Sequence, residues 1–103
     1  MASPFMYYTY ILLSSKFHRF YFGSTNNLKE RLNLHNIGQV KSTKGGIPWK
    51  LVWYAGFYTE KEARNFEQYL KTGSGKSFAY KRLVSVALAK DFSLGRRKSI
   101  TEL

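Results

Sequence analysis

Two short segments rich in aromatic and β-branched residues, 6–13 and 18–23, flank the polar stretch Ser14-Ser15-Lys16-Phe17, a spacing that commits the start of the chain to a β-hairpin. Parity then fixes which side chains share a face. If Leu13 pairs with His18, antiparallel register sets Tyr10 directly opposite Tyr21 on one side of the sheet. A loop one residue longer or shorter would separate them. Opposed aromatics often serve only the sheet, at ~0.2–1 kcal/mol per pair, so two tyrosines alone do not define a site.

After Gly23 the apolar period changes from two to that of a helix. Thr25, Asn26 or Asn27 can cap it, Leu28, Arg31, Leu32 and His35 recur along one stripe, and Gly38 stops it. Residues 38–48, with Lys41, Lys44, Gly45 and Gly46, read as a mobile basic loop, either a solvated connector or a contact for phosphates. Residues 49–58 form a third strand, with Leu51, Trp53, Ala55 and Phe57 on one face and Val52 and Tyr54 on the other. Both faces are apolar, so this strand is expected at the sheet centre with helices on either side.

Thr59 followed by Glu62 forms a capping-box pattern opening a second helix, in which Ala63, Phe66, Glu67 and Leu70 share a stripe. Glu67 is the conspicuous member. A carboxylate on an apolar stripe needs a cation, a hydrogen-bond network or a metal. The plainer alternative is an edge position where it pairs with Arg31 or a lysine. Gly73 should end the helix, and Gly73-Ser74-Gly75-Lys76 reads as a turn, since it lacks the full phosphate-loop spacing. A last helix over 77–90 would carry Phe78, Leu83, Val86 and Ala87 inward and Lys81 and Arg82 outward. The expected fold is α+β: a small three-stranded antiparallel sheet flanked by helices, in the order β-β-α-β-α-α. One domain over 1–90 would precede a basic tail, 91–103.

The 103 residues carry 17 basic and 6 acidic side chains, a formal net charge of +11, which creates a field attractive to polyanions. Nucleic acid is therefore the first partner to consider: DNA, with RNA fitting the charge equally well. The basic residues are dispersed rather than gathered on one amphipathic helix, which disfavours a membrane surface. With no cysteine, disulfides and thiolate chemistry are excluded, in keeping with a reducing cytoplasm. No signal-like or bilayer-length apolar run is evident, so a soluble cytoplasmic chain is expected.

Tyr8-Thr9-Tyr10, Tyr21-Phe22-Gly23, Arg31, His35 and Glu67, together with the segment from Ser42-Thr43-Lys44-Gly45 through Pro48-Trp49, resemble the GIY-YIG nuclease superfamily. The likeness is greatest to its small stand-alone bacterial members, and extends to the N-terminal domain of the excision-repair incision nuclease. Tyr8 and Thr9 stand where glycine and isoleucine are usual, Phe22 replaces isoleucine, and Ser24 stands where excision-repair members carry lysine. The asparagine that many members place after the glutamate has no clear counterpart among Ser74, Lys76 and Ser77.

The resemblance implies a divalent-metal-dependent DNA endonuclease with structure-selective or weak sequence preference, in repair or recombination. On that reading Glu67 binds one Mg²⁺ or Mn²⁺ ion and Arg31 contacts the scissile phosphate. Tyr10 is the preferred general base and Tyr21 positions water or phosphate, or the two roles are reversed. His35 assists a tyrosine, binds phosphate, or merely packs the helix end. Lys41, Lys44, Lys76, Lys81 and Arg82 are candidates for holding the nucleic-acid backbone. The competing classes are a noncatalytic DNA- or RNA-binding module and an accessory subunit that keeps the fold.

Overall fold

In the computed structural model, which describes residues 6–87, three antiparallel strands form one sheet in the order β2-β1-β3. These are β1 (Tyr7–Ser14), β2 (Arg19–Thr25) and β3 (Trp49–Phe57). The central strand is β1 and not β3, which corrects the expectation from apolar patterning. Residues 8–14 are all buried, whereas Tyr54 of β3 is 54% exposed. Ile11, Leu12 and Leu13 are fully buried, each worth ~1.5–3 kcal/mol by transfer from water.

The sheet separates two apolar clusters. Tyr10, Leu12 and Trp49 pack with Tyr21, Leu28, Leu32, Ile47 and Leu51 on one face. On the other, Ile11, Phe22, Leu70, Ala79 and Val84 gather Phe20, Val52, Trp53, Phe66 and Leu83. Leu51 and Trp53 therefore lie on opposite faces, contrary to strict alternation. The cause is a β-bulge: Ile11 pairs with Trp53 and Leu12 with Leu51, leaving Val52 unmatched and reversing the parity.

The hairpin register also differs from expectation, by two residues. Leu13 pairs with Phe20, Tyr10 with Gly23, and Leu12 with Tyr21. His18 is in the loop, with φ +54°, and its amide bonds the Ser14 carbonyl at 2.8 Å. Ser14 joins β1 because tertiary contacts hold it: its hydroxyl donates to Gly46 O at 2.6 Å, and the next amide, that of Ser15, donates to Pro48 O at 3.1 Å. A shift of two preserves the face, so Tyr10 and Tyr21 remain on the same side, as diagonal rather than directly opposed neighbours.

Helix α1 (Leu28–Asn36) is capped by Asn27, whose side chain accepts from the Glu30 amide at 3.1 Å. It closes on Gly38 at φ +82°, with the amides of Gly38 and Gln39 returning to the carbonyls of His35 and Leu34 at 3.4 and 3.0 Å. Helix α2 (Glu60–Leu70) is capped by Thr59, which accepts from the Glu62 amide at 3.1 Å. Glu62 returns its carboxylate to the Thr59 hydroxyl, also at 3.1 Å, instead of to the cap amide.

The stretch read as a turn is helical: Thr72 caps α3 (Gly73–Phe78), bonding the Gly75 amide at 3.0 Å. A Cβ on Gly75 would run into the Tyr69 carbonyl, so the glycine permits α3 to start directly against the end of α2. A single π-helical turn, Ala79–Leu83, then rotates the inward face. Ala79 and Val84 are buried and Leu83 packs on them, while Phe78 and Val86 are 39% and 68% exposed, correcting the predicted inward set. The rest of the predicted last helix, the domain end at residue 90 and the basic tail lie outside the described residues. Among the described residues no helix is long and apolar enough to cross a membrane.

Candidate active site

On the α1 side of the sheet the rings of Tyr10 and Tyr21 lie with centroids 6.3 Å apart. Tyr10 can lie flat there because Gly23 is its strand partner. A Cβ at Gly23 would fall 2.5 Å from the Tyr10 hydroxyl oxygen, 2.6 Å from its Cζ and 3.0 Å from Tyr21 Cε2. The glycine of the second triplet thus makes the space into which both phenols fold.

Arg31 and His35, one turn apart on α1, cover this space. The Tyr10 hydroxyl is 2.9 Å from His35 Nε2, and His35 Nδ1 is 2.8 Å from Thr43 Oγ1. Thr43 Oγ1 in turn donates to Val40 O at 3.3 Å. A carbonyl only accepts, so the Thr43 oxygen is left to receive the Nδ1 proton. This assigns the tautomer in which Nε2 accepts the Tyr10 proton. His35 is fully buried, and its pKa is lowered to about 4, first by burial and then by the Arg31 charge, so the ring is neutral.

Burial dominates at Tyr10 as well. The residue is 2% exposed and its pKa is pushed up to about 12, although polar contact with Arg31 pulls the other way. Arg31 is held more firmly protonated, chiefly by that same contact with Tyr10, with Tyr21 also contributing. Tyr21 is only partly buried, seated edge-on to His35 and Trp49 at centroid distances of 5.0 and 6.2 Å.

Glu67 arrives from the other side of the sheet, on α2, and meets the edge strand at Ser24, the residue after Gly23. Its Oε1 accepts from Ser24 Oγ at 2.7 Å and its Oε2 from Lys71 Nζ at 2.6 Å. The partner is thus a lysine and not Arg31. The carboxylate side chain is 14% exposed, and its charge contributes to the upward shift at Tyr10, so its field reaches across the edge. Phenols, guanidinium and acid are gathered around Gly23 and Ser24, with the acid at the rim and not within the phenol cluster.

Of the five basic candidates, Lys76 lines a cleft beside Tyr21. Lys41, Lys44, Lys81 and Arg82 are exposed but are not among the residues lining it. The loop expected to be mobile is pinned. Beyond the Ser14 and His35 bonds, Trp49 Nε1 donates to Thr43 O at 2.7 Å, and Asn36 bonds both the amide and carbonyl of Trp49 at 2.7 and 2.8 Å. Thr43 and Ser24 contact the candidate site in ways that sequence reasoning missed, and Lys71 is the lysine that the edge-position alternative for Glu67 left unnamed. Lys71 carried a signal, since glutamate followed by lysine at i+4 on a helix is a favourable pair.

His35 gives a pH prediction. Its folded pKa, about 4, lies below the ordinary 6.5, so between these values the unfolded chain binds the extra proton. Stability is therefore full above that window and falls as pH drops through it. Thermal melts across this range should show a declining Tm that is flattened in His35→Gln, and an unchanged slope in the variant would assign the decline to other groups.

A scan of the sequence against protein families matches the GIY-YIG catalytic domain over residues 6–81. The chain is similar to a UPF0213 protein of Clostridium perfringens, 43% identical over 67 residues that cover 64% of this chain and 71% of that protein. A UPF0213 protein of Bacillus licheniformis is 39% identical over 72 residues, 69% of this chain and 73% of that one. The solution NMR structure of a UPF0213 protein from Bacillus halodurans aligns with 31% identity over 79% of this chain and 84% of that one, with a TM-score of 0.45. The family match runs from β1 into the Ala79–Leu83 turn and takes in Tyr10, Tyr21, Arg31, His35 and Glu67, so the chain belongs to the GIY-YIG catalytic domain family, which implies an endonuclease-type hydrolase acting on nucleic acid.

Proposed function

We propose that this protein is a divalent-metal-dependent endonuclease that hydrolyses phosphodiester bonds in DNA, with structural or weak sequence preference, in repair or recombination. The observation that carries the reading is the gathering of Tyr21, Arg31 and Glu67 around one edge of the sheet in a chain of net charge +11. Hydrolysis needs an activated water and neutralisation of charge on the phosphorane-like transition state, and these groups divide the work.

Arg31 is planar, permanently charged and already turned toward both phenols, where it can present two donors to a phosphate. Tyr21 is the preferred group for receiving the proton of the attacking water, since it is partly exposed and borders the cleft. Tyr10 is enclosed, donates to His35 and has a raised pKa, which suits it to hold the neighbouring ring and guanidinium in place. Tyr10, His35 and Thr43 are then positioning residues.

Glu67 fits a hard cation. Its oxygens already attract a hydroxyl and an ammonium, and the Lys71 side chain, 43% exposed, can turn aside. Among the described residues no group of three or more His, Cys, Asp or Glu could hold an ion, so water and substrate phosphate would complete the shell, as Mg²⁺ or Mn²⁺ accepts. When bound, the ion supplies charge neutralisation at the phosphate and a more acidic water.

Magnesium-dependent nicking of branched, single-stranded and duplex DNA provides the test. Tyr21→Phe should lose at least ~10²-fold in rate, the ordinary cost of removing a general base. Tyr10→Phe should lose less. A Tyr21→Phe protein as fast as wild type would remove Tyr21 from the chemistry. The second reading, a noncatalytic binder, draws on the Lys71 contact, which neutralises Glu67 and lessens its repulsion of phosphate. It requires salt-sensitive binding with no cleavage in any metal.

A further inference from the structure

Outside the phenol cluster the β2 edge of the sheet borders a cleft of about 620 Å³ between β2 and the segment running from the end of α2 to Tyr80. Its size is within the ~300–1,000 Å³ of sites that seat a small organic group. Phe20 and Tyr80 form its aromatic floor, their rings tilted at 38° with centroids 5.5 Å apart, and Tyr80 is 45% exposed. Arg19, Lys71 and Lys76 line it, and among the described residues no acidic residue does. Arg19 is steadied from outside, its guanidinium carbon 5.4 Å from the centroid of the Phe17 ring. Tyr21 borders the same cleft, and Lys71 reaches from it to Glu67.

We propose that this cleft seats an unpaired nucleotide of the DNA strand to be cut, its base stacked on Tyr80 and Phe20 and its flanking phosphates held by Arg19 and Lys76. The inference rests on the nuclease reading for its choice of DNA. Its physical basis is separate: a cationic cleft with an aromatic floor binds a group that is flat, apolar on its face and joined to anions. In a continuous duplex both faces of a base are covered by its stacked neighbours, whereas an unpaired base can offer one to an aromatic ring. Seated there, the strand runs past Tyr21 toward Arg31, so the cleft sets which phosphate reaches the site.

Binding of a fluorescent oligothymidylate and of a blunt duplex of equal length, measured by anisotropy on the full chain in EDTA, tests this without any cleavage. Tyr80→Ala should weaken oligothymidylate binding by ~10-fold or more and leave duplex binding within about twofold, while Tyr80→Phe restores the single-strand affinity. Circular dichroism of Tyr80→Ala checks that the fold survives. Equal losses on both ligands, or no loss on either, would overturn the assignment, as would tighter binding of the matching oligoribonucleotide. A wild-type protein that cuts nothing with magnesium but shows the Tyr80 pattern would defeat the nuclease reading and leave the platform in place.

Discussion

Glu67→Gln is expected to slow magnesium-dependent cleavage by ~10²–10³-fold, the range found when a preorganised electrostatic contact to a transition state is removed. The amide has nearly the shape of the carboxylate and its oxygen can still accept from Ser24, so the fold has little reason to change. What disappears is the negative charge that would hold a hard cation. The ion pair with Lys71 is lost as well, but Lys71 is 43% exposed and such pairs are worth ~0–1 kcal/mol. Freed from its partner, Lys71 becomes an extra cation beside the cleft, so DNA binding should hold or tighten while turnover falls. Nicking rates read together with anisotropy separate these effects, and a Glu67→Gln protein that cuts at the wild-type rate would exclude the acid from metal binding.

Arg31→Lys should be nearly as damaging, at ~10²-fold in kcat, despite conserving charge. A lysine ammonium is a point charge on a flexible stem and cannot give a phosphate two parallel donors. It also cannot span Tyr10 and Tyr21 as a fixed plane, although both phenols act on Arg31. The loss should appear in turnover more than in KM, because the remaining cations still attract the backbone. Near-normal turnover in the lysine variant would mean that charge alone suffices, and the fork argument would fall.

Much of the local structure is legible in the residues because its causes are local. Asn27 and Thr59 cap their helices through bonds a few residues long, Gly38 closes α1 through a positive φ, and hairpin parity keeps Tyr10 and Tyr21 on one face. What patterning missed depends on contacts distant in sequence. The register moves by two because Gly46 and Pro48 hold Ser14 and Ser15. The parity of β3 reverses at Val52, and nothing in an apolar run announces a bulge. Gly73-Ser74-Gly75-Lys76 reads as a turn by composition, yet close packing at Gly75 and the Thr72 cap make it helix. The site follows the same division: Tyr10, Tyr21, Arg31 and Glu67 stand out by type and spacing, whereas Thr43 matters only once the loop folds back on His35.

The acid comes from α2 and the guanidinium from α1, each packed against a different face of the same thin sheet, and they come together only around its edge strand, β2. Neither half of the domain can therefore hold the proposed reactive set without the other. A change that loosened only the α2 layer, leaving strands and phenols intact, would silence the protein well before it melted, so its activity reports the integrity of the whole sandwich.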